Sequence, residues 1–492
     1  MSLQFHNQLS KKVDAFTPLV EGRVSLYTCG PTVYNYLHVG NWTGYIYWDT
    51  LVRVLQANDL RVDHVMNITD VGHLTGENEG DADSGEDKLQ KGARREGKTA
   101  WEVAALYTED FLAGMKRLNI MTPTHITKAT DYIQEQLQLV RVLKEKGFTY
   151  QINDGIYFDT AKFPTYADFA DLNLEAQRAG ARVVFNSEKR NHSDFALWKF
   201  TAVGEDRDME WETPTDLLDV QLEEVIMGFP GWHLECSTMA MTLLGETLDI
   251  HTGGIDHIPV HHTNEIAQSE AATGKIFADY WMHNNHLKVN GTKISKSLDN
   301  GYTLNDLENK GYSPLELRMF VLQGHYRNEG NFTFENLGAA KNRLRNWRSS
   351  AALRHQTHDR LRDDDDKSTD NGSISLSASS QALVEALSND LDTPGAFAII
   401  DQAFSKIEHS ATEAIHRYAL TTFLETIDSL LGLKLLETTE DITDDTKRLI
   451  IERERAREKK DWIVADHIRV EIEKSGVTVR DSAHGSIWEY ST

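Results

Sequence analysis

Residues 22–70 read GRVSLYTCGPTVYNYLHVGNWTGYIYWDTLVRVLQANDLRVDHVMNITD, and this stretch decides the fold. GRVSLYTCG has the apolar and β-branched pattern of a strand, NWTGYIYWDTLVRVLQAND is typical of a helix, and LRVDHVMNITD predicts a second strand. Residues 23–70 are therefore expected to form a βαβ unit. Such a unit implies a parallel, doubly wound α/β sheet, whose ligand site lies at the carboxyl ends of the strands.

Beyond this unit, the pattern divides the chain into five segments. TDYIQEQLQLVRVLKEKG (130–147) predicts an amphipathic helix, and YQINDGIYFDT (150–160) a hairpin that turns on Asn153-Asp154-Gly155. A helix and then a strand return with GWHLECSTMAMTLLGETLDIHTGG (231–254), and after about residue 335 the chain is nearly all helical. We predict a Rossmann-like domain in two halves around a connective insertion, then a helical bundle and a small C-terminal region: 1–118, 119–222, 223–334, 335–440 and 441–492.

The composition excludes several classes of protein. With 40% hydrophobic and 26% charged residues, the 492-residue chain is typical of a globular protein with several cores. No apolar run reaches the roughly 20 residues of a membrane helix, and MSLQFHNQLS lacks the features of a signal peptide. We therefore expect a cytoplasmic protein with no membrane partner. In that compartment the two cysteines are expected to be buried thiols or metal ligands.

The charge argues against nucleic-acid binding unless basic patches are local. The net charge is −25, from 51 Lys and Arg against 76 Asp and Glu, and it would repel a polyanion at long range. Two segments are basic: 341–362, with seven cations and one acid, and 447–460, with seven and three. A solvated helix face is the alternative for either. Two other polar runs, 76–88 and 363–380, are predicted to be surface loops, and the first lacks the ligand spacing of a calcium loop.

Two glycine-bearing turns have the chemistry of a phosphate site. HVGN, from His38 to Asn41, opens the first predicted helix, where Gly40 lets a ligand approach the backbone and His38 can donate to a phosphate oxygen. Alone, it also fits a simple helix cap. KVNGTKISKSLDNG (288–301) carries Lys293 and Lys296 on a predicted mobile loop, where both can stabilise the charge of a leaving pyrophosphate.

A third place has the spacing of metal ligands. In HTGGIDHIPVHHTNE (251–265), His261 and Glu265 are four residues apart, so on a helix they share one face. Cys29 and Cys236 could complete a set of two thiolates, one imidazole and one carboxylate, which suits zinc. Histidine-rich turns are also common on polar surfaces, and the spacing alone leaves that alternative open.

The three places together resemble a known family. HVGN is similar to the HIGH signature and KISKS to the KMSKS signature of class I aminoacyl-tRNA synthetases. With YTCGPTVYNYLHVGN, NITDVG, DFALWK, GWHLECS, HTGGID, HHTNEIAQSEA and HYR…NFTFENL, the chain resembles the cysteinyl-tRNA synthetase family from about residue 23 to Trp488. The resemblance implies ATP-dependent activation of L-cysteine, transfer to tRNA-Cys, and magnesium with the ATP. It also implies one zinc ion held by Cys29, Cys236, His261 and Glu265.

The resemblance further implies individual roles. Zinc would select cysteine over serine, since a thiolate is a far better zinc ligand than a neutral hydroxyl. The cysteine pocket would be lined by Thr69, Trp232 and His251. The ATP site would comprise His38, Gly40, Asn41, Gly254, Asp256, Lys293 and Lys296, with His38 and the two lysines as catalytic residues. The C-terminal segment would bind the anticodon through Trp462, Asp466 and Asp481, and a monomer is the usual state of the family.

The sequence departs from the family pattern around the second cysteine. Thr263 stands where glutamate is usual, HIPV replaces the usual FP before the histidines, and Phe229 stands where arginine is common, after a lengthened segment at 201–230. These differences leave the contacts to the acceptor end of tRNA open. Two other functions remain as alternatives: a synthetase-derived ligase that passes cysteine to a small-molecule amine, and a non-catalytic tRNA-binding protein.

Overall fold

The computed structural model describes residues 3–74, 85–173, 188–219, 225–295, 298–357, 373–411, 414–482 and 485–490. Contacts divide the chain into two compact units. The first comprises residues 2–307 and 326–331, and the second comprises residues 308–325 and 332–492. The finer division into five segments stays a prediction.

The strands are numbered in chain order. They are β1 (Gln4–Asn7), β2 (Lys12–Ala15), β3 (Arg23–Thr28), β4 (Arg61–Ile68), β5 (His125–Lys128), β6 (Thr149–Ile152), β7 (Gly155–Phe158), β8 (Phe195–Phe200), β9 (Trp211–Glu212), β10 (Met227–Pro230), β11 (Leu248–Gly254), β12 (Ala278–Asn284), β13 (Leu287–Val289), β14 (Gly330–Phe332), β15 (Val477–Ser482) and β16 (Gly485–Tyr490).

The α-helices follow the same convention. They are α1 (Val39–Ala57), α2 (Lys88–Glu96), α3 (Ala100–Arg117), α4 (Ile133–Glu145), α5 (Trp232–Leu244), α6 (Thr263–Thr273), α7 (Leu304–Asn309), α8 (Pro314–Leu322), α9 (Phe334–Ala352), α10 (Ser377–Ser388), α11 (Thr393–Glu408), α12 (Arg417–Leu431), α13 (Asp444–Glu458) and α14 (Trp462–Lys474). Within the described ranges, none of these helices is both long enough and apolar enough to cross a membrane.

The first unit is built on a five-stranded parallel sheet with the order β12-β11-β3-β4-β5. Its middle strand, β3, pairs in parallel with β4 on one side and with β11 on the other. Because α1 connects β3 to β4, the predicted βαβ unit and the Rossmann-like, doubly wound sheet are confirmed. The strand order reverses beside β3, and in such sheets ligands bind at the carboxyl ends of the strands at this switch point.

A second sheet in the first unit is antiparallel, with the order β6-β7-β8-β10-β9, and it lies between β5 and β11 in the chain. This is the position expected of a connective insertion. The predicted hairpin is present, since β6 and β7 pair up to Ile152 and Gly155. The predicted amphipathic helix is α4, whose Leu137 and Val140 share a core with Trp198 of β8.

The second unit is mainly helical, from α8 to α14, as the sequence predicts. Its end differs from the prediction, because residues 477–482 and 485–490 form the antiparallel hairpin β15–β16. Val477, Val479 and Trp488 of this hairpin pack with Ile450 of α13 and Ile472 of α14. Part of the apolar core of this short hairpin comes from Ala352 and Ile450, which are distant in sequence, so the local pattern of the strands is weak.

Both polar runs predicted to be loops lie partly outside the described residues, over 76–84 and 363–372. The described parts correct the prediction. Asp87 is buried and caps α2, because its carboxylate accepts from the backbone N–H groups of Leu89 and Gln90. Ser377 begins α10, where the serines lead into good helix formers. The loop prediction is therefore wrong for Asp87 and for residues 377–380.

Candidate active site

Four predicted metal donors converge where β3 and β11 end. Cys29 directly follows β3, and its backbone N–H donates to the carbonyl of Thr252 on β11 at 3.1 Å. Cys236 lies on α5, while His261 and Glu265 lie on either side of the start of α6. The four donor atoms lie within 4.8 Å of one another, and all four residues are buried.

Glu265 is the centre of this cluster. Its Oε1 lies 3.0 Å from His261 Nε2, and its Oε2 lies 3.0 Å from His251 Nε2. Cys29 Sγ is 4.0 Å from Oε1. A carboxylate buried alone would be very costly, so the imidazoles compensate its charge. Burial would raise the pKa of Glu265, but His251 and His261 lower it to about 2.

The two thiols differ in protonation. Burial would raise the pKa of Cys236, but the hydrogen bond with Cys29 and the charge of His261 lower it to about 6. Burial and the neighbouring Cys236 raise the pKa of Cys29 well above its usual range. Burial would lower the pKa of His261, but Glu265 and Cys236 raise it to about 10. These directions favour the anionic forms of Cys236 and Glu265 beside a protonated His261, and a bound cation would displace the remaining protons.

A second layer of aromatic rings supports the histidines. His233 Nδ1 lies 3.0 Å from His261 Nδ1, and the Trp232 ring stacks on His261 at 4.2 Å between centroids. His262, next in sequence, has its Nδ1 2.7 Å from His283 Nε2. The sequence analysis assigned no role to His233, His262 or His283, and the doubled histidine in HHTNE was the available signal.

The donor set fits zinc. Two thiols, an imidazole and a carboxylate form a set that zinc binds tetrahedrally, and buried imidazoles supported by neighbours are typical of its sites. His251 adds a further imidazole to the pocket, because its Nε2 lies 3.0 Å from Glu265 Oε2. The structure therefore supports a metal-binding cluster at this position.

Two of the three residues predicted to line a cysteine pocket, Trp232 and His251, contact this cluster. His251 contacts Glu265 and stacks on Trp281. Trp232 is half-buried, and His73 stacks on it at 4.1 Å between centroids. Thr69 is buried and accepts a hydrogen bond at its hydroxyl from the Asn67 side chain, at 3.0 Å. His73 is a further residue that sequence analysis missed.

The HVGN turn opens α1 as predicted. The Nδ1 atom of His38 accepts from the backbone N–H of Asn41 at 3.2 Å, and the Asn41 side chain accepts from the His38 N–H at 3.1 Å. Burial lowers the pKa of His38, so its ring is neutral at neutral pH. Because Nδ1 accepts, the ring proton lies on Nε2, which is the atom left to donate to a ligand.

The lysine loop lies against this turn. The Val39 N–H donates to the carbonyl of Tyr302 at 2.8 Å. A Cβ atom on Gly40 would lie 2.8 Å from Ile294 Cδ1, so the lysine loop packs closely against this glycine. Lys293 is exposed, and Lys296 lies outside the described residues.

Gly254 and Asp256 lie at the end of β11 and in the turn after it. A Cβ atom on Gly254 would lie 2.4 Å from Asp256 Oδ1, so a side chain at this position would displace the Asp256 carboxylate. Burial would raise the pKa of Asp256, but His257, His286 and Lys293 lower it. The carboxylate is therefore ionised, and Lys293 of the lysine loop is one of the groups that stabilise its charge.

Comparison with known proteins decides the family. Residues 15–342 match the family described as tRNA synthetases class I (C) catalytic domain, and residues 439–488 match the cysteinyl-tRNA ligase anticodon binding domain. The chain is 38% identical to the cysteine–tRNA ligase of Treponema denticola, over 99% of this chain and all of the relative. It is 40% identical to cysteine–tRNA ligase 1 of Burkholderia lata, over 99% and 96%. The chain belongs to the cysteinyl-tRNA synthetase family.

Solved structures agree with this fold. The chain is similar to a leucyl-tRNA synthetase of Agrobacterium radiobacter K84, seen in a ternary complex with tRNA, with a TM-score of 0.62, 11% identity, and coverage of 87% of this chain and 86% of the other. It is also similar to Mycobacterium tuberculosis methionyl-tRNA synthetase with methionyl-adenylate, with a TM-score of 0.56, 14% identity, and coverage of 84% and 92%. At these identities the likeness supports the class I fold alone. The comparisons give no support to a small-molecule ligase.

The cysteinyl-tRNA synthetase anticodon region, 439–488, contains the three predicted anticodon residues. Trp462 is 54% exposed, and Asp466, one turn later on α14, is also exposed. Asp481 differs, because its carboxylate accepts from Arg453 at 2.9 and 3.0 Å and pairs with Arg457 at 3.1 Å. Arg457 in turn lies 5.5 Å from the centre of the Trp462 ring. A base-reading role for Asp481 stays a prediction, and its carboxylate already holds two cations.

The cations of the two basic segments are less available to a ligand than the charge of the segments suggests. Several of their cations donate to protein groups: Arg343 to Gln323 and Asp401, Arg348 to Thr438, Arg354 to Thr439, Lys447 to Asp441, and Arg453 to Asp481. Arg354, Lys447 and Arg453 are buried. These cations serve the fold, so a count of lysines and arginines overstates the surface available to RNA.

The departure from the family pattern at Phe229 has a structural counterpart. The guanidinium of Arg207, in the lengthened segment, lies 3.7 Å from the centre of the Phe229 ring. Arg207 also pairs with Asp87, the cap of α2, and both side chains are 3% exposed. The lengthened segment thus supplies a cation next to the position where the family usually has arginine.

Proposed function

We propose that this chain is a cysteine–tRNA ligase: it activates L-cysteine with ATP and transfers the cysteinyl group to the 3′ end of tRNA-Cys. In the first step a carboxylate oxygen of cysteine bonds to the α-phosphorus of ATP, and the bond to pyrophosphate breaks. In the second step a hydroxyl of the terminal ribose of tRNA attacks the cysteinyl carbonyl, and AMP leaves. The observation that carries the proposal is the buried thiol, imidazole and carboxylate cluster beside the HVGN turn and the lysine loop.

The phosphates would be held where these two signatures meet. The Nε2–H of His38 and the backbone N–H of Gly40 would donate to phosphate oxygens. Lys293 and Lys296 would stabilise the charge that grows on pyrophosphate as it leaves, and Mg²⁺ would accompany the ATP. Asn41 would contact the nucleotide beside Gly40, and Gly254 and Asp256 would contact the ribose and adenine.

Selection against serine would depend on the metal cluster. Cys29, Cys236, His261 and Glu265 would hold one zinc ion, which when bound supplies a coordination site that prefers a thiolate to a hydroxyl. Thr69, Trp232 and His251 would line the rest of the cysteine pocket. The half-buried Trp232 ring, held between His73 and His261, would exclude water from the side chain of the substrate.

The anticodon would be recognised by exposed groups of α14. A base can stack on the Trp462 ring, and Asp466 can accept from a base amino group. Arg457, held beside Trp462 by Asp481, would meet a phosphate or a base edge. We propose that the chain acts as a cytoplasmic monomer.

The test is cysteine-dependent ATP–pyrophosphate exchange, run in parallel with charging of unfractionated tRNA. We expect exchange with cysteine, none with serine at equal concentration, and charging of tRNA-Cys. Exchange without charging, with cysteine passed to an amine, would instead identify the small-molecule ligase. Absence of both activities in folded, zinc-loaded protein would leave a non-catalytic tRNA-binding protein.

A further inference from the structure

The metal pocket contains more donors than one ion needs. His262 Nε2 lies 3.4 Å from Cys29 Sγ and 3.9 Å from Glu265 Oε1. His251 Nε2 lies 3.0 Å from the other oxygen of the same carboxylate. The donor atoms of Cys29, His251, His262 and Glu265 all lie within 4.8 Å of one another, and all four residues are buried. Two complete sets of four donors therefore share Cys29 and Glu265.

His262 is oriented in the way that ligating histidines are. A metal-bound imidazole normally has its second nitrogen held by a neighbouring group, which fixes the ring and its tautomer. His262 Nδ1 lies 2.7 Å from His283 Nε2, so the Nε2 atom of His262 is the one turned to Cys29 and Glu265. His261 has the equivalent support from His233. Each of the two adjacent histidines thus has its own supporting ring.

The backbone explains how both neighbours reach one carboxylate. Successive residues of an α-helix point about 100° apart, which normally separates the side chains of adjacent residues. Here residues Ile258–His262 form a π-helical turn that leads into α6. Glu265 is then at i+4 from His261 and at i+3 from His262, the two spacings that meet on a helix face.

The strand opposite leaves room for the His262 ring. A Cβ atom on Gly253 of β11 would lie 2.7 Å from His262 Cε1 and 2.8 Å from His257 Nδ1. Any other residue at position 253 would therefore displace the ring that approaches Cys29. The π-helical turn before α6 and the glycine of β11 therefore both determine where the His262 ring lies.

We propose that the pocket accepts a divalent metal ion at a second position, held by Cys29, His251, His262 and Glu265 instead of the set that contains Cys236 and His261. The second set has one thiolate and two imidazoles, so it is richer in nitrogen and suits Co²⁺ or Ni²⁺ as well as Zn²⁺. Both positions use Cys29 and Glu265 as ligands, so a single ion occupies one position or the other. This inference goes beyond the proposed function, which uses the first set.

The test is a Co²⁺ titration of the metal-free, full-length protein, followed by the thiolate-to-cobalt charge-transfer band. Cys236→Ala should still bind one Co²⁺, with about half the band intensity of the wild type and an affinity about 10–100-fold lower. Adding His262→Ala to Cys236→Ala should abolish this binding. Adding His125→Ala, at an exposed histidine of β5, should leave the binding unchanged.

Two controls keep the result decisive. His262→Ala alone should keep the full two-thiolate band, which also shows that the variant folds. Cys29→Ala with Cys236→Ala removes both thiols and sets the background. The proposal is overturned if folded Cys236→Ala binds Co²⁺ no better than that background, or if its binding does not depend on His262. Cysteine-dependent exchange by the wild type is unaffected by either result, so failure here is distinguishable from failure of the proposed function.

Discussion

In the metal pocket, every donor side chain is buried and contacts another side chain, whereas in the anticodon region Trp462 and Asp466 lie exposed on α14. Around Glu265 each group compensates the charge of the next, so removing one leaves its neighbours buried and unpaired. On α14 the side chains are solvated until a ligand arrives, and each contributes only its own contact. The difference teaches where substitutions should abolish function and where they should only weaken it.

The largest loss of metal and activity is expected from Cys29→Ala, because Cys29 belongs to both sets of donors. Zinc content should fall from about one per chain to near zero, and cysteine-dependent exchange should fall by more than the 10–100-fold typical of supporting residues. Elemental analysis and exchange assays measure the two effects. Thr252→Val, on the neighbouring strand, should keep its zinc, and full zinc occupancy in Cys29→Ala would remove this residue from the ligands.

A smaller but clear effect is expected in the lysine loop. Lys296→Ala should slow adenylate formation by about 10²-fold while leaving cysteine affinity little changed, because the charge that the lysine meets is larger in the transition state. Lys288→Ala is the matched control, since Lys288 lies on β13 and pairs with Glu329. Rapid-quench measurement of adenylate separates the two. A change confined to the KM for cysteine would contradict the proposed role.

Asp466→Ala should act on one step only. We expect charging of tRNA to weaken by about 1–3 kcal/mol, the cost of one base-specific contact, and pyrophosphate exchange to stay intact. Glu473→Ala, on the same helix and paired with Arg469, is the control. A parallel fall of exchange and charging would make Asp466 a structural residue, and the contrast between the two regions would then be lost.

The smallest effect is expected from Asp481→Asn, through stability. The hydrogen bond from Arg453 lowers the pKa of Asp481, even though partial burial opposes the shift. The carboxylate therefore stabilises the fold above its unfolded pKa of about 3.9, and this contribution is lost as the pH falls through the lower folded pKa. At neutral pH the variant should be less stable by about 0.5–1.5 kcal/mol, because the partly exposed Asp481 holds the buried Arg453. Thermal melts should show this gap at pH 7 and none near pH 2.

The sequence predicted the parallel sheet because a βαβ unit leaves few arrangements once its strands and helix are recognised. It also indicated which four donors would lie together, through the spacing of His261 and Glu265 and the family resemblance. The sequence did not indicate the rings that support His261 and His262. His233 and His283, whose rings support His261 and His262, lie 28 and 21 residues away in the chain, so no local pattern indicated them.

Ion pairs between segments distant in sequence were also not predictable from the sequence. Arg207 and Asp87 are 120 residues apart, so no local pattern shows that an apparently solvated acid caps a helix and holds a buried arginine. The partners of the basic segments could not be predicted from the sequence for the same reason. Arg343 and Arg354 look like an RNA-binding surface in sequence, but their partners are Asp401 of α11 and Thr439 of the segment between α12 and α13.

The strand order has a consequence for how the protein is made. Cys29 and Glu265 are 236 residues apart, and β11, the neighbour of β3 in the sheet, directly precedes the turns that carry His261. At about 5–20 residues per second, the ribosome needs roughly 10–50 s to travel from one ligand to the other. During that time the nascent chain carries an unligated thiol at the edge of an incomplete sheet. The cluster of four donors is therefore complete only after translation has passed Glu265, and a stalled ribosome would leave a chain that has its first cysteine but no cluster.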